Sequence, residues 1–298
     1  MLKIENEFVE QLIEAEDPFP IIWKEMIEEI WRPLPDLEDY YSQEKEMMEL
    51  EYFLVNTNEE LYSQLLPKYC TGVVPDLEDE LPVLFLDALS LREAILLGSK
   101  LSGRGYETQL DYSFSALPSV TERFKDKVGY GDLASKYRST NIHELTGFSL
   151  EGTEKLIWSD FPDARMETSS AGKTVLQTMK PTYRELEEMV FEVLEQLDHG
   201  ELTIRSDHGY VRHQGAYSFD MSGKDQGKVR DLLGGSRYCS EEEGSDIPKG
   251  MEHYVVSYDG YHMAKGRYVW PVSGKYKKLQ HGGVSLLECM VPVINIKT

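Results

Sequence analysis

The chain has 298 residues, 41% hydrophobic and 28% charged, which excludes wholesale disorder and collagen-like repetition and leaves ample material for a buried core. It has no run of eighteen apolar residues and no basic-then-apolar leader, and its three cysteines (Cys70, Cys239, Cys289) are widely spaced, so the expectation is a soluble, cytoplasmic protein that does not enter a membrane. The net charge of −22 is uneven, with 22 acids against 5 bases in residues 1–80 and 31 against 26 in residues 81–298; non-specific binding to duplex nucleic acid is not expected, because it depends on Lys and Arg neutralising phosphates.

In chain order, residues 1–65 read as helices. Phe8, Leu12 and Ile13 share a helical face, as do Ile21, Ile22, Met26 and Ile30, with prolines at 18, 20, 33 and 35 marking breaks. Further helix is expected over Glu44–Leu54 and Asn58–Leu66, and Thr71–Glu80 reads as a boundary. The division is an acidic helical appendage, 1–80, and a main domain, 81–298. The appendage packs on the main domain or offers a docking surface, for a protein partner or a second copy.

From Leu81 the texture changes. Leu81–Leu86 is a short apolar run like a buried parallel strand, and Leu91–Lys100 follows as helix. Strands are expected at Tyr112–Leu117, Leu156–Trp158 and Glu201–Arg205, and a helix at Tyr183–Leu197. This alternation indicates an α/β fold with a largely parallel sheet between helices. Residues 210–280 are rich in Gly, Tyr and Ser and read as an inserted region of hairpins and loops, with strand-like stretches at His253–Tyr258 and Arg267–Trp270. Ser285–Ile296 turns into a last strand.

Ligands of such sheets collect at the carboxyl ends of the strands. Asp87 stands directly after the first strand, where it serves as a helix cap or as a metal ligand. In Pro118-Ser119-Val120-Thr121-Glu122-Arg123, Thr121 is a cap or a nucleophile, and a threonine nucleophile needs a metal to form its alkoxide. Asp207-His208-Gly209 suits a divalent cation, because imidazole and carboxylate both bind Zn²⁺ or Mn²⁺ and glycine permits close backbone approach. His281 sits in a Gly-rich loop before the final strand.

Taken in order, these four segments resemble the PglZ domain, a branch of the alkaline phosphatase superfamily, over residues 81–298. The most specific part is His281–Ile294. The resemblance implies a phosphoester hydrolase with two divalent metals, zinc by preference and manganese as the alternative. It implies that Asp87, Thr121, Asp207 and His208 surround one metal, and that a phospho-threonine forms at Thr121. For the other metal the superfamily uses an Asp and a His four residues apart, together with the late His, here His281. This chain has Asp163 and Glu167 at that separation, so a carboxylate replaces the imidazole. His143, His199, His213, His253 and His262 are alternatives that no spacing selects. Arg123, beside the nucleophile, is the candidate to contact non-bridging oxygens.

The expected activity is a phosphodiesterase on a small nucleotide-type substrate, in phage defence or nucleotide signalling. The insertion would roof the site, with Tyr217, Tyr258, Tyr261 and Trp270 available to stack a base or fill a core. The competing expectation is an inactive PglZ-type scaffold in a defence or signalling complex, which the missing histidine favours.

Overall fold

The computed structural model describes the chain except residues 1–3, 33, 168–173, 199, 213–216, 243–245, 273–277 and 298, and the side chain of Glu167. The acidic first quarter is helical: α1 (Asn6–Glu14), α2 (Phe19–Lys24), α3 (Leu37–Ser42), α4 (Glu44–Thr57) and α5 (Leu66–Thr71), with π-helical stretches at Glu25–Ile30 and Leu61–Leu65. Short polar side chains start two of them. Asp17 Oδ1 accepts the Phe19 N–H at 3.0 Å, and Asp36 Oδ1 accepts those of Glu38 and Asp39 at 2.7 and 3.2 Å.

The main domain then runs β1 (Val83–Leu86), α6 (Leu91–Gly103), β2 (Glu107–Phe114), α7 (Thr121–Lys127), α8 (Tyr130–Lys136), β3 (Ser139–Ile142), β4 (Leu156–Ser159), α9 (Asp163–Glu167), α10 (Val175–Gln196) and β5 (Glu201–Ser206). It continues through β6 (Val211–Arg212), α11 (Gly223–Leu233), β7 (Tyr238–Ser240), β8 (Val255–Tyr258), β9 (Tyr261–Ala264), β10 (Leu279–Gln280), α12 (Leu286–Cys289) and β11 (Met290–Lys297).

Six strands form the central sheet in the order β2-β11-β5-β1-β4-β3. β1 lies parallel between β5 and β4, and β3 is parallel to β4. β11 is antiparallel to both β2 and β5. Five strands therefore point one way and β11 the other. Its central strands β5, β1 and β4 are buried on both faces, as apolar parallel strands require. Leu84, Leu86, Ile157 and Ile204 join the apolar cluster that also holds α6, α10 and the N-terminal helices. Val83, Phe85, Leu156 and Trp158 face Phe124 and Val128 on the other side.

The N-terminal acids do not all face water. Glu44 and Glu51 on α4 are fully buried and meet two fully buried arginines. Arg92 donates to Glu44 at 2.6 Å, while Arg267 donates to Glu44 at 2.6 Å and Glu51 at 2.9 Å. Glu51 also accepts the Leu286 N–H at 2.7 Å, which ties α4 to the start of α12.

Several elements differ from expectation. β2 begins at Glu107 and ends at Phe114, because it is an edge strand whose alternate residues are exposed and so lack a continuous apolar run. α10 starts at Val175, where Thr174 and Gln177 form a reciprocal capping box. Arg267–Trp270 forms no strand beyond a single bridge, Phe219 to Tyr268; the Arg267 side chain is drawn instead to Glu44 and Glu51. The insertion contains α11 and the three-stranded sheet β7-β9-β8.

Removing one member of a buried ion pair strands the other. Glu44→Ala is expected to destabilise the protein by about 3–5 kcal/mol in urea unfolding, whereas Lys180→Ala, which breaks the exposed pair to Glu38, should leave the midpoint nearly unchanged.

Candidate active site

Leu86, Ser159, Ile142 and Ser206 occupy one register row across β1, β4, β3 and β5. The residues immediately after that row therefore emerge side by side at the carboxyl edge. They include Asp87 after β1, Asp207 and His208 after β5, and Asp160 after β4. Asp163, at the start of α9, is held to this row by its N–H on the Asp87 carbonyl at 3.2 Å. Thr121 arrives from β2 as the first residue of α7. His281 arrives at the same edge because β11 is reversed, so that its leading loop lies where the other strands' trailing loops lie.

Thr121 is the centre of the cluster. Its Oγ donates to Asp207 Oδ2 at 2.7 Å and lies 3.2 Å from Asp87 Oδ1 and 3.4 Å from His208 Nε2. Asp207 is fixed in turn, its Oδ1 accepting the N–H groups of Ala88 and His208 at 3.0 and 2.9 Å. His208 Nδ1 is 2.9 Å from the Gly209 carbonyl. A carbonyl only accepts, so this nitrogen carries the proton and Nε2 turns its lone pair inward. The same logic holds at His281, whose Nδ1 is 3.1 Å from the Ser119 carbonyl. Its Nε2 is 3.8 Å from Asp163 Oδ1, and its ring stacks on His208 with centroids 4.1 Å apart.

Asp87, Asp207 and His208 bring one ligand atom each within 4.8 Å of one another. Asp207 and His208 are fully buried, and the Asp87 side chain is 13% exposed. Burial, reinforced by the neighbouring carboxylates of Asp207 and Asp163, pushes the Asp87 carboxyl up to about 8 despite His208 and the Thr121 hydrogen bond. Burial alone would lower His208, but Asp207, Asp87 and Asp163 outweigh it and the imidazole is raised. The Asp87 shift comes first from burial and then from its carboxylate neighbours, and the His208 shift comes from those carboxylates; a divalent cation held there would favour the ionised carboxylates. Two carboxylates and an imidazole are a suitable donor set for zinc or manganese. Asp163 and His281 form a second, adjacent pair of donors.

Of the residues singled out in the sequence, Asp87, Thr121, Asp207 and His208 form one cluster, with Asp163 and His281 beside it. The Glu167 side chain, His199 and His213 lie outside the described residues. Arg123 donates to the Leu117 carbonyl at 3.1 Å and to Asp259 at 3.0 Å, under the Tyr261 ring. Among the alternative histidines, His143 pairs with Asp160 at 2.5 Å, His262 with Ser257 at 2.6 Å, and His253 with the Tyr268 hydroxyl. Gly209 permits the close approach its motif suggested, since a Cβ there would lie 1.9 Å from the Leu287 carbonyl oxygen. Sequence reasoning missed Ser119 and Glu288. Both are fully buried and bonded to the His281 loop, and a buried polar residue leaves no signal in a single sequence.

The family model for the BREX system PglZ alkaline phosphatase-like domain matches residues 124–296, more than half of the chain. The chain belongs to this family. The match takes in Asp163, Asp207, His208 and His281 and begins three residues after Thr121. Membership of the PglZ family supports a phosphoester hydrolase as the coarse class. No curated protein matches the chain. Among solved structures, it is similar to murine ectonucleotide pyrophosphatase/phosphodiesterase 5, in an inactive variant bound to AMP, at 13% identity and a TM-score of 0.30, over 61% of this chain and 53% of that one. The human counterpart gives 11%, 0.31, 57% and 62% in the same terms. Phosphonoacetate hydrolase from Sinorhizobium meliloti 1021, in complex with phosphonoformate, gives 13%, 0.27, 73% and 66%. The chain thus spans between about half and two-thirds of the length of these remote likenesses.

The raised Asp87 and His208 groups mean that the metal-free folded protein holds extra protons that the unfolded chain has released. Its stability therefore falls as pH rises from the ordinary carboxylate value of 3.8 to about 8. In thermal melts with chelator, the midpoint of the wild type relative to Asp87→Asn should drop across this range, and a pH-independent difference would contradict it. Added Zn²⁺ or Mn²⁺ should restore the wild type most at the alkaline end, because binding displaces those protons.

Proposed function

We propose that the protein is a metal-dependent phosphodiesterase that cleaves a nucleotide-type phosphoester through Thr121, within the BREX defence system for which its family is described. The observation that carries this reading is the Thr121 hydroxyl, held 2.7 Å from Asp207 and 3.2 Å from Asp87 with His208 Nε2 beside it. A hydroxyl with only a helix-capping role has no need of two carboxylates and an imidazole.

Asp87, Asp207 and His208 would hold one cation, and Asp163 and His281, with Glu167 on the spacing of the sequence, a second. Bound divalent cations, zinc or else manganese, would supply the positive charge that lowers the pKa of the Thr121 hydroxyl and stabilises the leaving oxygen. Asp207 and Asp87 fix the direction of Thr121 Oγ, which attacks phosphorus as the ester oxygen departs. The Thr121 proton would leave along the hydrogen bond to Asp207 and end on the departing ester oxygen, and phosphorus, still bearing its second ester group, would stay bonded to Thr121 until water displaces it, a double displacement. Arg123 is two residues from the nucleophile and must exchange its bond to Asp259 to reach a phosphoryl oxygen. Asp259 lies in the β8–β9 turn, so the insertion touches the nucleophile's helix and is suited to roof the site. Tyr238 and Tyr261, with ring centroids 6.2 Å apart, lie against Gly282 and Arg123 respectively and offer an aromatic flank for a base.

Hydrolysis of bis-p-nitrophenyl phosphate by metal-loaded full-length protein tests this reading. Thr121→Ala should lower turnover by at least about a thousand-fold, as expected when a nucleophile is lost, while still binding metal. If folded, metal-loaded wild type releases no nitrophenol with either Zn²⁺ or Mn²⁺, the scaffold reading replaces the enzyme.

A further inference from the structure

Ser119 is fully buried two residues before Thr121, and both its Oγ and its carbonyl oxygen bond to the loop that carries His281. Its Oγ donates to the Gly283 carbonyl at 2.9 Å and accepts the Gly282 N–H at 2.9 Å. Its own carbonyl accepts from His281 Nδ1 at 3.1 Å. One residue thus clasps three consecutive positions of the loop.

Each bond has a chemical consequence. The contact to Nδ1 selects the tautomer in which His281 Nε2 bears the lone pair, and this nitrogen faces Asp163. The two Oγ bonds hold the Gly282–Gly283 backbone at the height this contact requires. The position needs glycine, since Gly282 has a φ of +105° and a Cβ on it would lie 2.6 Å from the Tyr238 ring. From the far side, Glu288 accepts the Gly283 N–H at 2.8 Å and is itself paired with buried Arg237 at 2.7 Å.

We propose that Ser119 is a positioning residue that fixes His281 as a metal ligand and couples the second metal position to the nucleophile's loop. The inference rests on the metal-dependent reading above and adds a role for a residue that touches neither metal nor substrate. Partners that orient a ligating histidine are worth about ten- to a hundred-fold in metal affinity, and the loss should fall on one site only.

The test is Co²⁺ titration of metal-free, full-length protein, followed by calorimetry and visible absorption. Wild type should bind two equivalents and His281→Ala one. Ser119→Ala should bind the first equivalent as wild type does and the second ten- to a hundred-fold more weakly. Ser115→Ala, which alters another fully buried serine, should bind both normally. If Ser119→Ala does not fold, Ser119→Cys keeps a weak donor of similar size and should show a smaller loss confined to the second equivalent. Two normal equivalents in the folded serine variant, or equal weakening of both, would overturn the proposal. Two equivalents in His281→Ala would instead overturn the reading of His281 as a ligand, on which the proposal stands.

Discussion

The reversal of β11 governs the arrangement of the site. In a sheet of parallel strands, only loops that follow strands reach the carboxyl edge, and a residue that precedes a strand lies at the opposite edge. β11 enters between β2 and β5 in the antiparallel sense, so the segment before it arrives beside Thr121 and Asp207. Residues separated by almost two hundred positions in sequence, from Asp87 to His281, are thereby gathered at one edge. The short helix α12 completes the device. Its carbonyls at Leu287 and Glu288 press against Gly209, so the loop of Asp207-His208-Gly209 and the loop of His281 are packed against the same turn.

Two buried clusters of acids show opposite solutions to one electrostatic problem. A carboxylate removed from water must find compensating charge or take up a proton. At Glu44 and Glu51 the compensation comes from Arg92 and Arg267, and the Glu44 carboxyl, which burial alone would raise, is lowered by them. At Asp87 and Asp207 the neighbours are a hydroxyl and imidazoles, and the Asp87 carboxyl rises to about 8. Glu51, which has Arg267 but not Arg92, is still raised by burial, and this cluster belongs to stability. The second has no cationic side chain of arginine's kind among its described contacts, and it brings two carboxylates and an imidazole within reach of one point.

Most of the cluster around Thr121 was legible because Asp87 and Asp207 end buried strands, while Thr121 was picked out by its motif rather than by an apolar run. Asp87 follows Leu81–Leu86, and Asp207 follows Glu201–Ser206, so strand prediction alone delivers both to the edge. The buried strands were legible for the same reason, and β2 was misjudged because an edge strand is apolar only at alternate positions. The role of the N-terminal acids was not legible. In sequence Glu44 and Glu51 look like any solvated helical carboxylate, and only tertiary structure reveals their arginines, one of them more than two hundred positions away. Ser119 was hidden in the same way, since the bonds that define it are made to backbone atoms of a distant loop.

The pairing of α4 with Arg267 also bears on how the protein is made. Glu44 and Glu51 precede Arg267 by 223 and 216 residues. Translation at about 5–20 residues per second separates their emergence from the ribosome by roughly ten to forty seconds. Throughout that interval Glu51 lacks its arginine and Glu44 has only Arg92. An N-terminal layer of this kind cannot be finished first and used as a template. It closes only after Arg267 and the last strand of the sheet have left the ribosome, so part of the α4 face stays uncovered while those residues are made.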